Sequence, residues 1–443
     1  MAKIAVAAAC LCMASARPAE PSTAAPIAGD TNVHSIDLAT ALRLAGAQNL
    51  DVEIARERLN EAKANHAITL SQFFPWLSPG IAYRRHEGRL QDVVGNVFDA
   101  DKQSYAAGGS LSAQWDFGDA IYKSLAAKQL ANVAGHALDA QRQESALAAA
   151  QGYWELLFAQ VSVDVADEAV RISEDYYAQI QRAVEAGIAF KGDELRVLVQ
   201  TERNRLIRRQ SAEQQRVVAA RLAQTLHLDP AIELHGLDNE LLPLSVIATN
   251  TALAPLVQQA LVNRPETKQS QSFIAAAQHS RNGVVYGPWI PAVGAQAAAG
   301  GFGGGRGSAT GNFGSSEDYA LSLGWRIGPG GLFDVGRKRS AEARLQVAQL
   351  GQEKLRDEIT RQVIESFTRL QSLADQIGTA ERSLRAAEKS LQLAQDRKQF
   401  GVGIVLETIQ AEQDLTRARL DYLKAIAEFN KAQYALSRAV GKL

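Results

Sequence analysis

Few residues in this chain offer chemistry, and their spacing assigns them little of it. Seven histidines are scattered through 443 residues, with no H-E-x-x-H pair to set two ring nitrogens on one helix face for zinc. A lone histidine in a helical stretch, such as His66 or His279, reads as structural or solvated. The run from Gly300 through Phe302 and Arg306 to Gly307 has the glycines of a phosphate loop. It lacks the Lys-Ser or Lys-Thr that would complete one, so it reads as a flexible surface loop. The cysteines are Cys10 and Cys12, and the methionines Met1 and Met13. A chain cleaved after Ala16 would keep no thiolate or thioether for a soft metal such as copper or silver. Two carboxylates remain: Asp193 and Glu407 each follow a glycine by six residues and open a helical stretch, where an acid complements the positive end of the helix dipole. No catalytic residue, cofactor or metal is expected, and an enzyme is not.

Asp193 and Glu407 stand at one position of a pattern that occurs twice. Pro75-Trp76-Leu77 returns as Pro288-Trp289-Ile290, and Leu111-Ser112-x-x-Trp115-x-Phe117-Gly118 as Leu321-Ser322-x-x-Trp325-x-Ile327-Gly328. Gly187, with Asp193, Leu195, Leu206, Leu222 and Leu226 behind it, returns as Gly401, with Glu407, Ile409, Leu420, Leu436 and Val440. The offset stays near 210–214 residues, far beyond the roughly 20–50 of a solenoid repeat. One structural unit is used twice, in residues 36–229 and 255–443, joined by a Pro-bearing linker over 230–254.

Two kinds of element must position these residues. The stretches from Gly80 to Asp229 and from Gly330 onward lack proline and are rich in strong helix formers. Leu370, Leu373, Ile377, Ala380, Leu384, Ala387, Leu391 and Ala394 step by three and four. So do Leu415, Ala418, Tyr422, Ala425, Phe429, Ala432, Leu436 and Ala439. These are the a/d seams of a coiled coil. A helix from Asp119 to Gly187 would reach about 100 Å, with Gly135 and Gly152 marking either breaks or close contacts along it. Other segments alternate with period two: Leu111 to Phe117 and Tyr319 to Ile327, with weaker partners Leu77 to Tyr83 and Trp289 to Ala297. Each is a strand with one apolar face. The connections Arg84 to Gly109 and Gly300 to Asp318 read as long loops. Each half is therefore helix, strand, loop, strand, helix, helix. Four strands per protomer cannot close a barrel, since about eight is the smallest usual form. Three protomers would give twelve. Trp76, Tyr83, Trp115, Trp289, Tyr319 and Trp325 near the strand ends fit an aromatic belt at a membrane interface.

The formal charge of −1 gives no sign of a nucleic-acid partner. Arg203, Arg205, Arg208 and Arg209 read as a solvated helix face. Beyond the N-terminus there is no run of about 18 apolar residues for a membrane-spanning helix. Residues 1–16, with Lys3, an apolar stretch and Ala14-Ser15-Ala16, resemble a secretory signal. A lipoprotein signal ending at Cys10 or Cys12 is the alternative. Residues 17–35 read as a flexible segment.

From about Ile36 to Gly441 the combined pattern resembles the TolC-like outer membrane efflux protein family. Ile36-Asp37-Leu38, Ala41-Leu42 and Asn49-Leu50-Asp51 are similar to its first helix. Leu332-Phe333-Asp334-Val335-Gly336-Arg337 resembles its strand-to-helix return. Phe400-Gly401-Val402-Gly403, Glu407-Thr408-Ile409 and Ala411-Glu412 resemble the opening of its last long helix. The resemblance implies a mainly α fold: a coiled-coil helical tunnel in the periplasm below a twelve-stranded barrel in outer membrane lipid. It implies a homotrimer that acts as a passive duct with a periplasmic adaptor and an inner-membrane pump. Glu407 and Asp193 fall at the tunnel's constriction, where three copies of a carboxylate would attract cations and respond to pH. The second acidic position of the family falls on Gln410, a departure. The turns Gly187-Ile188-Ala189 and Gly401-Val402-Gly403 fall at the adaptor contact. Small toxic compounds are the expected cargo. The alternatives are an exit duct for an ABC-type secretion system and a periplasmic coiled-coil adaptor.

Overall fold

The computed structural model describes residues 33–229, 231–238, 240–249, 251–307, 311–400 and 403–443. The expected signal sequence, with Cys10 and Cys12, lies outside the described residues. Two helix–strand–helix units follow one another, as the repeat requires. The first comprises α1 (Leu38–Gln48), α2 (Leu50–Ser71), β2 (Trp76–Gln91), β3 (Val97–Trp115), α3 (Phe117–Glu185) and α4 (Lys191–Thr225). The second comprises α5 (Leu253–Asn263), α6 (Pro265–Tyr286), β5 (Ala292–Arg306), β6 (Gly314–Gly324), α7 (Val335–Gln399) and α8 (Val405–Val440). Short strands β1 (Val33–Ile36) and β4 (Glu233–Gly236) pair in parallel.

Helix α3 runs 69 residues without a break, about 100 Å at 1.5 Å per residue. Gly135 and Gly152 do not break it, and of the two readings offered close contact is the one that holds at Gly152. A Cβ on Gly152 would sit 3.1 Å from the Leu222 side chain, so this glycine marks where α3 and α4 pack closely. The entry helix expected in each half is instead two helices laid end to end. Asn49 separates α1 from α2, and its side chain accepts from the amides of Asp51 and Val52 at 2.9 and 3.3 Å. Its own amide donates to the Thr225 carbonyl at 2.8 Å. Thus α2 begins where α4 ends, and both lie along α3. In the second half Glu266, at the start of α6, accepts from Arg264 and from Arg438 near the end of α8, at 2.8 Å each.

The a/d seams form the interior. Leu370, Leu373, Phe429, Ala432, Leu436 and Ala439 pack with Ile359 and Val363 in one cluster, and Leu391, Ala394, Ala411 and Leu415 in another. A third joins Ala149, Tyr153, Leu156 and Leu157 of α3 to Leu222 and Leu226 and to Ile36 and Leu234 of the small sheet. Residues 33–35, expected to be flexible, thus belong to a strand. The linker is held as well. Buried Asn430 exchanges hydrogen bonds with Leu244 and Leu242 at 2.7 and 2.9 Å, and buried Gln433 brackets Ile247 at 2.8 and 3.1 Å. The arginines of α4 stitch the surface: Arg205 bonds Glu174 at 2.6 Å, and Arg208 pairs with Asp167.

The second correction concerns the loops. Residues 84–109 and 300–318 are mostly strand. β2 and β3 pair from Trp76↔Ser112 to Gln91↔Val97 around a tight turn at 92–96, where the Asp92 carboxylate accepts from Val94 and Asn96. β5 continues through Arg306. The sheet order is β2-β3-β5-β6, antiparallel throughout. The glycines of β5 are strand residues, with the Tyr105 and Phe313 rings stacked at 5.7 Å over Gly303 and Gly301.

At the sheet's helical end Gly118 meets Gly287 backbone to backbone: a Cβ there would stand 2.1 Å from a carbonyl oxygen. Gly118→Ala should lower the melting midpoint, with an overpacking cost of about 1–3 kcal/mol. Gly152→Ala faces only a side-chain tip and gains about 1 kcal/mol of helix propensity, so its midpoint should match the parent within experimental scatter. Thermal denaturation of both in detergent compares them; equal losses would contradict the packing described.

Candidate functional site

Period-two alternation gives the four-stranded sheet two unlike faces. One carries Leu77, Ile81, Tyr83, Ala107, Leu111, Ala295, Ala297, Tyr319, Leu321 and Leu323, in one register across the strands. Ile81, Leu321 and Leu323 on it are exposed. The opposite face carries Ser78, Gly80, Ala82, Ser110, Ser112, Gln296, Asp318, Ala320 and Ser322. Tyr105 and Trp115 stand ten positions apart on the apolar face. At about 3.3 Å per residue and a tilt near 45° they are separated by roughly 24 Å in height, close to the apolar band of a membrane barrel. The hairpin turns lie beyond Tyr105, and all four connections to helices lie at the Trp115 end.

The aromatic residues gather at these two levels. At the helical end the Trp115 indole donates to the Phe73 carbonyl at 2.9 Å and stacks on Phe117. Its repeat counterpart Trp325 donates to the Trp289 carbonyl at 3.2 Å, and Trp289 packs edge-on against Phe333. Trp289 occupies a 3-10 turn and Trp325 follows β6, so neither is a strand residue. Trp76 falls opposite Ser112 on the polar face, which departs from a lipid-facing belt. Tyr83, opposite Tyr105, marks the other level and bonds Gln103 at 3.1 Å, while Tyr319 lies on the Leu111 rung between the two levels and bonds Glu317 at 3.3 Å.

The far ends of the long helices form the second region. α3 closes with Gly187 at φ +74°, and the amides of Ile188 and Ala189 return to the Ala183 carbonyl at 2.8 and 3.1 Å. In the second turn, Gly401 and Val402 lie outside the described residues. The Gly403 amide donates to the Arg397 carbonyl at 3.0 Å, and a Cβ there would reach within 2.8 Å of the Lys398 nitrogen. Four apolar side chains project from the two turns: Ile188 and Phe190 are each 82 % exposed, Phe400 83 % and Ile404 64 %. Behind the turns α3, α4 and α8 pack through Tyr176, Ile180, Val197 and Ile409.

Asp193 and Glu407 occupy matching places in the first turns of α4 and α8. Neither carboxylate is bare. Asp193 pairs with Arg196 at 3.0 Å, and Glu407 reaches across its turn to Arg397 at 2.8 Å. Gln410 is exposed one turn further. Behind them is a half-buried pair of charges beside buried Tyr176, with no role assigned from sequence. The Lys398 ammonium stands 3.7 Å over the Tyr176 ring. Burial pushes it below the ordinary lysine range, against the pull of Glu412. Burial pushes the Glu412 carboxyl up to about 7, against the pull of Lys398. The sequence shows Ala411-Glu412 opening a helix, but only the packing of α3, α7 and α8 shows what surrounds it.

A sheet with one lipid-compatible face, one polar face and two open edges, borne on helices about 100 Å long, defines a subunit of a membrane channel. Residues 256–442 match the family described as outer membrane efflux protein. The chain is 24 % identical over 419 residues to the cation efflux system protein CusC of Escherichia coli K12, covering 88 % of this chain and 84 % of that protein. It is 26 % identical over 405 residues to the protein CyaE of Bordetella pertussis, covering 87 % and 80 %. Its fold superposes on the Campylobacter jejuni CmeC outer membrane channel with a TM-score of 0.78 at 14 % identity, over 94 % of this chain and 90 % of that one. The match to the outer membrane efflux protein family covers the second of the two repeated units. Its fold is that of solved outer membrane channels. Channels of this family are trimers that interact with periplasmic adaptors and inner-membrane pumps.

Glu412 generates a pH prediction. Its folded-state pKa, about 7, lies above its ordinary value of 4.5. Its contribution to folding is therefore complete below about pH 4.5 and is lost as pH rises through about 7. Glu412→Gln should gain melting temperature relative to the parent between pH 5 and pH 8. A difference that stays constant across that window would mean that burial of the charge is not what destabilises the tip.

Proposed function

We propose that three copies of this chain join β6 of one to β2 of the next, closing a twelve-stranded barrel in the outer membrane. Their helices form a tunnel into the periplasm. The observation that carries this is the pair of open edges on a sheet whose apolar band matches the membrane. The duct is passive and carries small toxic compounds handed over by a periplasmic adaptor and an inner-membrane pump. Support for that cargo class comes from the family's efflux description and from the name of the cation efflux relative.

The helical tips take two roles in this reading. Asp193, Glu407 and Gln410 line the constriction, and the arginines that pair with the two carboxylates hold them back from the pore axis. Opening would release Glu407 from Arg397. The turns at Gly187, Ile188, Ala189, Gly401, Val402 and Gly403 meet the adaptor, with Ile188, Phe190, Phe400 and Ile404 supplying exposed apolar area. Such area outside a membrane invites a protein partner.

Reconstitution in a planar bilayer tests the duct, and Glu407→Ala tests the tip. The variant should lower cation preference and change the fraction of time spent open. Unchanged conductance and selectivity would remove Glu407 from the pore. Residues 33–443 contain no cysteine, so Ala189→Cys introduces an addressable thiol at one turn. Cross-linking in the native host should capture an adaptor of a proton-driven pump. Capture of an ABC-type partner would shift the cargo to a polypeptide, and a labelled thiol that captures nothing would overturn the adaptor contact.

A further inference from the structure

The polar face of the sheet changes character towards the hairpin turns. Arg84, His86, Lys102 and Arg306 line one groove there. The register sets His86 opposite Lys102, and Lys102 opposite Arg306, while Arg84 lies two residues from His86 on the same face. Like charges directly opposite each other across strands are destabilising, so a rung with Lys facing Arg needs a reason. On the other face at the same height the charges are matched: Arg85 bridges Glu87 and Asp101, and Arg89 faces Asp99. Among the described residues no carboxylate pairs with any of the four basic side chains. The imidazole Nε2 of His86 is buried without a hydrogen-bond partner. The single acid on the polar face of the four strands is Asp318, opposite Ala298, eight positions along β5 from Arg306. That is about 26 Å of strand.

We propose that this rung is an oxyanion-binding collar in the outer mouth of the duct. The inference rests on the barrel reading, which turns the polar face inward and places the hairpin turns outside. Three always-charged side chains less one distant carboxylate leave two positive charges per protomer, and six in a closed trimer. Arg84 and Arg306 offer forked donors and Lys102 a mobile ammonium, the set that recognises phosphate and carboxylate groups. With spacing along three adjacent strands, the collar fits solutes bearing two or more such groups. It would concentrate polyvalent anions at the exit, with a sign opposite to that of the carboxylates at the tip.

The test uses the full-length trimer in a planar bilayer, with inorganic pyrophosphate added on the side of the hairpin turns. Pyrophosphate should reduce the conductance of the parent channel. In the Lys102→Ser, Arg306→Ser double variant the half-blocking concentration should rise at least about tenfold, from the loss of charge-assisted hydrogen bonds. Arg85→Ser, on the lipid-facing side, should leave block unchanged. If the parent opens pores that pyrophosphate does not block, or if the double variant is blocked equally well, the collar is wrong and the duct stands. If the parent opens no pores, the barrel reading fails and the collar fails with it.

Discussion

An unpaired backbone amide in hydrocarbon costs several kcal/mol, and β2 and β6 each carry a whole edge of them. Within one protomer nothing answers those edges. An apolar band of membrane height therefore forces the sheet to continue into another copy, and a closed barrel is the arrangement that leaves no edge at all. The helices inherit this constraint. Each hairpin must be entered and left on the same side, so four helical segments descend from every sheet. The duplication supplies them as two nearly equal sets.

Those helices then need a seam that tolerates close approach over about 100 Å. Alternation of alanine with leucine and aromatic residues supplies it, because small residues let the axes near each other while larger ones fill the gaps. The helices beside α3 and α7 are assembled from two pieces each. Their junctions fall at Asn49 in one half and at Arg264, Glu266 and Arg438 in the other. A neutral amide cap performs in the first half what a buried ion pair performs in the second. The junction is thus fixed by the architecture and its chemistry is free to vary. The joint is also bound by β1 and β4 and by the α8 side-chain amides of Asn430 and Gln433, which hold the linker, so the joint between the repeats is part of the interior.

The heptads and the repeat offset were legible because each depends on local pattern alone. So were strands such as Leu321 to Leu323, where large apolar residues alternate with small polar ones. The upper halves of the hairpins were not. Around residues 84–91 both faces carry charge, and along Gly300 to Gly305 both faces are glycine or aromatic, so alternation vanishes while pairing continues. Gly301 lies under the ring of Phe313 and Gly303 under that of Tyr105, nearly 200 residues away, which no local rule reveals. At the tip the glycine turns and repeated acids could be read directly. The arginines that answer them, and the Lys398–Tyr176–Glu412 group behind, depend on which helices meet. Tertiary packing created those, as it created the flush contact of Gly118 with Gly287.

In the proposed duct the two ends would differ in how their charges are held. At the tip, Glu407 and Asp193 are each answered by an arginine on the surface, and such pairs are worth about 0–1 kcal/mol. A partner or a change of pore shape can exchange them at little cost, which suits a gate. At the proposed mouth the described cations have no carboxylate partner, and the lumen of a twelve-stranded barrel would be wider than the roughly 8 Å over which charge is felt at physiological salt. They cannot act on an ion passing along the axis. They act on one that touches the wall, where several donors along one rung are within reach together. Selectivity at the mouth is then a matter of multivalent contact, and selectivity at the tip one of a narrow field.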